Sequence, residues 1–419
     1  MTSLADLKLP RLDPTDAELK GERWHETMRE LRRSGEWLAQ APLATVVLDR
    51  EAGEFFLRTK AALFPGVFLA ELFAVTEGAL REQVIHNIIN VNGADHGRLR
   101  RLVNPALAPR AVERYRPVMR EILAELWERV AAAGQCDFVE SLTRPYPARV
   151  IAAVMGAPQE DADRLHDWSM WIQRQFDPIA LGDPDQLRTI DRKVAEFYDW
   201  VRPLIARRRD SPADDLISTL ITAEEEGDKL SEVELENLVL NILVGGVDTS
   251  QSQLAHALRL LAERPEQWQA LRSDPEEMAP RAVEEAIRYE PITPFTARLL
   301  TEAVDYRGVT FPEGSIVAVC AFAANRDPEA FPAAEDFDIT APRDSTRALT
   351  FGAGIHFCVG ANLARAELGE ALAFLARRIE RLELVADPDL QNVSGIYGVD
   401  KLPVSFSAAE AEAAPMESA

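Results

Sequence analysis

Cys358 stands in the run Phe351-Gly352-Ala353-Gly354-Ile355-His356-Phe357-Cys358-Val359-Gly360, and an Ala-rich apolar stretch, 361–375, follows at once. Gly352, Gly354 and Gly360 let the backbone take positive φ and pass close to a bulky partner. The stretch after them predicts a helix, which puts Cys358 just before a helix N-terminus. There the dipole and free N–H groups favour thiolate over thiol. A thiolate so placed is a metal ligand or a nucleophile. A nucleophile needs a base, and His356 is two residues away. In an extended loop, residues two apart share a side without meeting tip to tip. The glycines instead suggest a flat cofactor lying against the loop.

Three other patterns carry chemistry. Gly245-Gly246-Val247-Asp248-Thr249-Ser250 interrupts an otherwise apolar run. Two glycines inside a helix cost about 1 kcal/mol each relative to Ala. A buried Asp costs more unless it is used or paired. His96 and Arg100 are four apart and share a helix face, as a solvated basic helix or as a paired anion grip. Glu285 and Arg288 are three apart, a spacing worth only ~0.3 kcal/mol when exposed.

The loop pattern Phe-Gly-x-Gly-x-His-x-Cys-x-Gly resembles the haem-ligand loop of the cytochrome P450 family. In that family the cysteine thiolate is the proximal ligand of haem iron. The resemblance spans roughly residues 40–405. It implies a mainly α fold, the cytochrome P450 fold, with small accessory β-sheets. It implies haem b (iron protoporphyrin IX) as cofactor, with Cys358 on the metal. Phe351, Gly352, Gly360 and Gly245 would lie against the ring, and His96, Arg100, Arg298 and His356 would anchor its propionates. Gly245 to Ser250 resembles the family's oxygen-activation motif, with Asp248 and Thr249 managing protons. Gly245 replaces the more frequent Ala, and Ser250 a frequent Thr. Glu285 and Arg288 resemble the Glu-x-x-Arg signature, with Arg343 as third member of that structural trio. One departure stands at Ala348, where the family often has His; Arg347 is beside it.

The implied activity is monooxygenation of an apolar small molecule with O2, the electrons coming from a separate ferredoxin and ferredoxin reductase. Rival readings are a peroxide-driven enzyme of the same fold and a non-catalytic haem-binding or sensing protein. The peroxide branch typically carries an Arg-Pro pair at Asp248-Thr249. A sensor would not need that pair at all. Asn241, Val244, Thr293, Phe295 and Ile396 are the expected substrate pocket, with Asn241 as polar reader or satisfied core amide. Trp168, Trp171 and Phe176 are channel lining or ordinary core and surface aromatics. Arg98, Arg101, Arg110, Arg114, Arg347 and Arg365 are candidates for a basic donor-docking patch, or pair with local carboxylates.

The elements that must hold these residues are legible in part. Ser231-Glu232-Val233-Glu234 forms a capping box that opens the longest expected helix, running to Leu261. About 30 residues at ~1.5 Å each is roughly 45 Å, enough to cross a domain. Helices are also expected over 22–36, 114–132, 158–172 and 191–208. Strand, turn and strand are expected over 42–57, with strands at 45–48 and 54–57. Residues 58–92 read as helical fragments, which in the family include a mobile lid. Residues 291–300 should be extended, and short strands should follow Leu375, ending at 402–406. Residues 1–20 read as an irregular arm and 407–419 as a disordered tail.

The chain has 419 residues with a formal net charge of −23. Without a linker-like stretch in the middle, a single domain over 1–419 is expected. The acidic balance argues against nucleic-acid binding, which needs a basic footprint. Three cysteines, Cys136, Cys320 and Cys358, lie far apart, which argues against a disulfide framework and fits a reducing compartment. The most apolar stretch, 61–75, contains Pro65, Gly66 and Glu71 and is too short to span a bilayer. The N-terminal residues resemble neither a signal peptide nor an anchor. A cytoplasmic location is expected.

Overall fold

The Ala361–Arg378 helix sits at the centre of the helical packing. It contacts the Pro275–Tyr289, Arg116–Glu128 and Asp248–Ala262 helices. Its Ala-rich sequence permits this, since small side chains let neighbouring helices approach on several faces. Leu363, Leu368, Leu372 and Leu375 all fall in the buried core. The computed structural model describes residues 2–225, 230–343 and 346–408.

The Ser231 capping box forms as expected. Ser231 Oγ accepts from the Glu234 N–H, and the Glu234 carboxylate accepts from the Ser231 N–H. The helix it opens is not continuous. It divides at Val247 (φ −93°, ψ −68°) into Glu232–Gly246 and Asp248–Ala262. Among the described residues the longest helix is instead Pro184–Asp210. It begins ahead of the expected 191 because the Asp183 carboxylate caps the N–H groups of Asp185 and Gln186.

A five-stranded sheet lies to one side, in the order Leu38–Gln40, Thr45–Val47, Ile316–Cys320, Phe295–Leu300, Ala62–Leu63. Thr45–Val47 and Ile316–Cys320 are parallel, and the other pairs are antiparallel. The second strand expected at 54–57 is part of a helix, Arg50–Arg58. What reads as a turn is its N-cap: Asp49 accepts from the Ala52 N–H at 2.8 Å. Ala52, Gly53, Phe56 and Leu57 are then buried at helical spacing.

Residues 58–92 do contain helical fragments, Gly66–Leu72 and Gly78–His86. The helices expected at 114–132 and 158–172 are Arg116–Glu128 and Ala162–Gln173, the second preceded by a 3₁₀ turn. The N-terminal arm is irregular over most of its length but strapped down. Thr2–Ser3 pairs with Val309–Phe311, and Arg11 bridges to Gln40. The expected tail starts too early, since Ser407 lies in the Pro403–Ala408 strand opposite Arg381. Its remainder, 409–419, lies outside the described residues. Among the described residues, no helix is long and apolar enough to cross a membrane.

Candidate haem and oxygen-activation site

The Cys358 loop is closed on itself. The Cys358 N–H donates to the Phe351 carbonyl at 2.9 Å, across two 3₁₀ turns, Leu349–Phe351 and Gly354–His356. Gly354 takes φ +73°, and a Cβ there would lie 2.7 Å from the Leu57 carbonyl oxygen, so no side chain fits. The accessible surface of Cys358 faces an internal cavity. Burial pushes its thiol up. The N–H groups of Gly360 and Ala361 and the charges of Arg100 and Arg365 act against this without reversing it. Such a thiol is a poor free nucleophile at neutral pH and ionises when a metal displaces its proton. Among the described residues no hydrogen bond joins His356 to Cys358, so the pair is not a nucleophile and its base.

One edge of the cavity gathers positive and donor groups without anions. His96 and Arg100 project from the Gly93–Val103 helix, Arg298 from Phe295–Leu300, and His356 from the loop. The His96 and His356 rings lie 4.4 Å apart. Arg298 is buried and donates to the Ala297 carbonyl at 2.9 Å. Among the described residues neither Arg298 nor Arg100 has a carboxylate partner. Burial lowers Arg298 to about 10, and burial, helped by the neighbouring cations, lowers His356 to about 3. His356 Nε2 is buried without a partner. A buried cation left without a carboxylate, as Arg298 is, is costly, so this edge, with half-buried Arg100 and two imidazole donors beside it, suits an anion that the chain does not supply.

The opposite wall is the divided helix. Here a hydroxyl enters the helical ladder. Ser169 Oγ accepts from the Asp248 N–H at 3.4 Å and donates to the Val244 carbonyl at 3.4 Å. Insertion of a side chain between N–H and carbonyl is a recognised cause of helix opening. Thr249 Oγ1 meanwhile donates to the Gly245 carbonyl at 2.5 Å. The two glycines serve different ends. A Cβ on Gly246 would lie 2.4 Å from Ile151 Cδ1, whereas one on Gly245 would meet open space. Gly245 therefore opens onto the cavity, and Gly246 allows helix packing. Asp248 is buried just behind this wall, where desolvation pushes its carboxyl up to about 7. Sequence reasoning missed Ser169 and also Glu367. Glu367 is buried, accepts from Ser250 Oγ at 2.7 Å, and is pushed by burial to about 8.

The cytochrome P450 family model matches residues 72–394. The chain belongs to the cytochrome P450 family. It is 34% identical over 402 residues to luteothin monooxygenase of Streptomyces thioluteus, covering 96% of this chain and 97% of that one. It is 36% identical over 313 residues to 6-deoxyerythronolide B hydroxylase of Saccharopolyspora erythraea, covering 74% and 75% respectively. The crystal structure of CalO2 superposes with a TM-score of 0.87 at 30% identity, covering 95% of this chain and 99% of that one. The protein is a P450 monooxygenase, and the cofactor of its family is haem b.

The residues present fit haem b. An apolar macrocycle with two carboxylates on one edge matches the anion-free edge of His96, Arg100, Arg298 and His356. The open space at Gly245 and the lining by Phe351, Gly352 and Gly360 leave room for a flat ring against the Cys358 loop. The P450 cavity measures about 410 Å³, the size of an organic-ligand site. Asn241, Val244, Thr293, Phe295 and Ile396 all line it, as does Thr249. Phe176 lines it too, but Trp168 and Trp171 do not. Trp168 Nε1 donates to Glu196, and the Arg174 guanidinium covers the Trp171 ring. Asn241 Nδ2 is spent on the Asn237 carbonyl at 2.7 Å.

Glu285, Arg288 and Arg343 meet in one ion-paired cluster. Glu285 accepts from Arg288 at 2.7 and 2.8 Å and from Arg343 at 2.7 and 3.1 Å. Arg288 also donates to the carbonyls of Asn325, Ala334 and Asp336. The six candidate docking arginines divide, and Arg101 is exposed. Arg98, Arg114 and Arg365 pair with Glu234, Asp214 and Glu284. Arg110 and Arg347 are exposed.

Proposed function

We propose that Cys358 is the thiolate ligand of haem b and that His96, Arg100, Arg298 and His356 hold its propionates. The observation that carries this reading is the edge of Arg100, Arg298 and two imidazoles without a counter-anion, facing the same cavity as Cys358. Bound there, haem b supplies the one-electron and dioxygen chemistry of the reaction. The chain supplies shape, dryness and protons. Asp248, raised to about 7, is protonated in part at neutral pH and can give up a proton without a large penalty. Thr249 places a hydroxyl on the cavity wall, next to the helix opening that Ser169 holds. Ser250 and Glu367 form a second proton-holding pair on that wall.

The substrate is a mainly apolar organic molecule seated against Val244, Phe295 and Ile396, and one atom of O2 enters it by hydroxylation or epoxidation. Relatives named as hydroxylase and epoxidase support that reaction pair. Electrons come from a ferredoxin and its reductase. Arg110 and Arg347 support a docking face there. The Pro109–Val112 helix carrying Arg110 packs on the helix that follows Cys358, and Arg347 precedes the ligand loop. Rim charges of this kind govern association rate more than affinity. The test is the rate of haem reduction against ferredoxin concentration at low and high salt. Arg110→Glu with Arg347→Glu should slow reduction and weaken its salt dependence. Equal rates at low salt would place docking elsewhere.

A further inference from the structure

Gln83 is fully buried on the Gly78–His86 helix, lines the cavity, and has no partner for either Nε2 or Oε1. Two more cavity-lining amides share the condition in part. Asn90 Nδ2 donates to the Val84 carbonyl at 2.8 Å, and its Oδ1 is buried without a partner. Gln175 Nε2 donates to the Ile172 carbonyl at 3.0 Å, and its Oε1 is likewise orphaned. Those two N–H bonds fix the amide orientation, because flipping either group would set oxygen against oxygen. Just under the cavity lining there are therefore unmet acceptors on Asn90 and Gln175, and both an unmet donor and an unmet acceptor on Gln83.

The three amides share one part of the cavity. Asn90 bonds the carbonyl of the residue next to Gln83. Gly66 lies against Asn90, since a Cβ there would come within 2.0 Å of Oδ1. Two residues from Gly66, the Phe64 ring meets the Phe176 ring edge-on at 6.0 Å, and Phe176 follows Gln175. No ionised side chain belongs to this group. Among the described lining residues, the cations are Arg100 and Arg298 at the Cys358 end, beside the imidazoles of His96 and His356, and the carboxyl, Glu367, is raised to about 8 and mostly holds its proton at neutral pH.

Buried amide groups without partners cost free energy comparable to a lost hydrogen bond, and native proteins keep few of them. We propose that this wall reads an uncharged group on the substrate that both donates and accepts hydrogen bonds, such as a carboxamide or hydroxylated end of an otherwise apolar molecule. This rests on the reading of the cavity as the substrate site. A carboxylate would face the Asn90 and Gln175 oxygens, and an ammonium would find no anion. A bare hydrocarbon would leave all four atoms unpaired.

The test compares three probes of one chain length on the haem-loaded enzyme: dodecanamide, dodecanoate and dodecyl chloride. Binding is followed by calorimetry and by the haem spin-state change. Wild type should bind the amide at least tenfold more tightly than either other probe. Gln83→Leu should remove that preference by weakening amide binding about tenfold, with chloride binding unchanged or tighter. Gln175→Leu should reduce the preference less. Equal affinities in wild type, or an unaltered preference in Gln83→Leu, would overturn the inference. Tightest binding of the carboxylate would also overturn it. Should Gln83→Leu not fold, Asn90→Leu carries the same comparison. The ferrous carbonyl spectrum of each protein reports separately on thiolate–haem, so failure of the pocket reading and failure of the haem reading are distinguishable.

Discussion

Ser250 donates a 2.7 Å hydrogen bond to Glu367, linking the divided helix to the helix that follows Cys358. The other Glu367 oxygen is buried without a partner. Both elements that face the cofactor space are thus tied through one carboxyl, which burial raises to about 8.

That shift makes stability depend on pH. The folded carboxyl keeps its proton above its ordinary value of 4.5, while the unfolded one has lost it. Stability therefore falls as pH rises between 4.5 and about 8. Asp248, raised from 3.8 to about 7, acts in the same sense over a lower window. Below about pH 6.5 the lowered imidazoles of His256 and His356 act in the opposite sense, so the decline should show in wild-type unfolding free energies from urea between about 6.5 and 8. Glu367→Gln should flatten the upper part of the decline. An unchanged slope would mean that Glu367 does not titrate there.

Proton supply by Asp248 gives a rate prediction. The acid is active while protonated, so turnover should fall as pH rises through about 7. Asp248→Asn should lower turnover by roughly 10²-fold, the scale of a lost general acid, and remove that limb. Thr249→Ala should keep haem and substrate binding while diverting reducing equivalents to free hydrogen peroxide. Oxygen, NADPH and product measured together decide the matter; tightly coupled turnover in Thr249→Ala counts against the role.

The two helix glycines should respond oppositely to a methyl group. Gly246→Ala drives a Cβ into Ile151 and should cost roughly 1–3 kcal/mol through overpacking. Gly245→Ala meets open space and should stabilise the apoprotein by up to about 1 kcal/mol. Denaturant melts of the two apoproteins make the comparison, and equal losses would contradict it.

Breaking the buried trio should be severe. Glu285→Ala leaves Arg288 buried without its carboxylate and should destabilise by roughly 3–5 kcal/mol. Arg343, more exposed, should cost less when replaced by Ala. Urea unfolding of the two variants orders them, and a milder loss for Glu285→Ala would refute the ranking.

Much of the site was legible because its residues sit in short contiguous patterns. The Cys358 loop, Asp248-Thr249 and the Glu285–Arg288 spacing each lie within one element, and sequence spacing dictates their geometry. Residues that meet only through tertiary packing were not legible. Ser169 reaches the helix break from a different helix, and nothing around it in sequence marks it. Glu367 reads as an ordinary helix carboxylate until the fold buries it against Ser250. The Arg50–Arg58 helix was mistaken for a strand because Glu54-Phe55-Phe56-Leu57 is too short for periodicity to decide. The Asp49 cap was the signal that could have decided it. The break at Val247 was marked by the Gly245–Ser250 motif that interrupts the apolar run, but the Ser169 hydroxyl inserted there comes from another helix.

The central claim is that Cys358 binds haem iron as a thiolate. The direct measurement is the ferrous carbonyl spectrum of the haem-loaded protein, wild type beside Cys358→His. Wild type should show the red-shifted Soret band of thiolate ligation, and the variant should lose it while still holding haem through His96, Arg100 and Arg298. Absence of that band in native wild type, or its persistence in Cys358→His, would contradict the account.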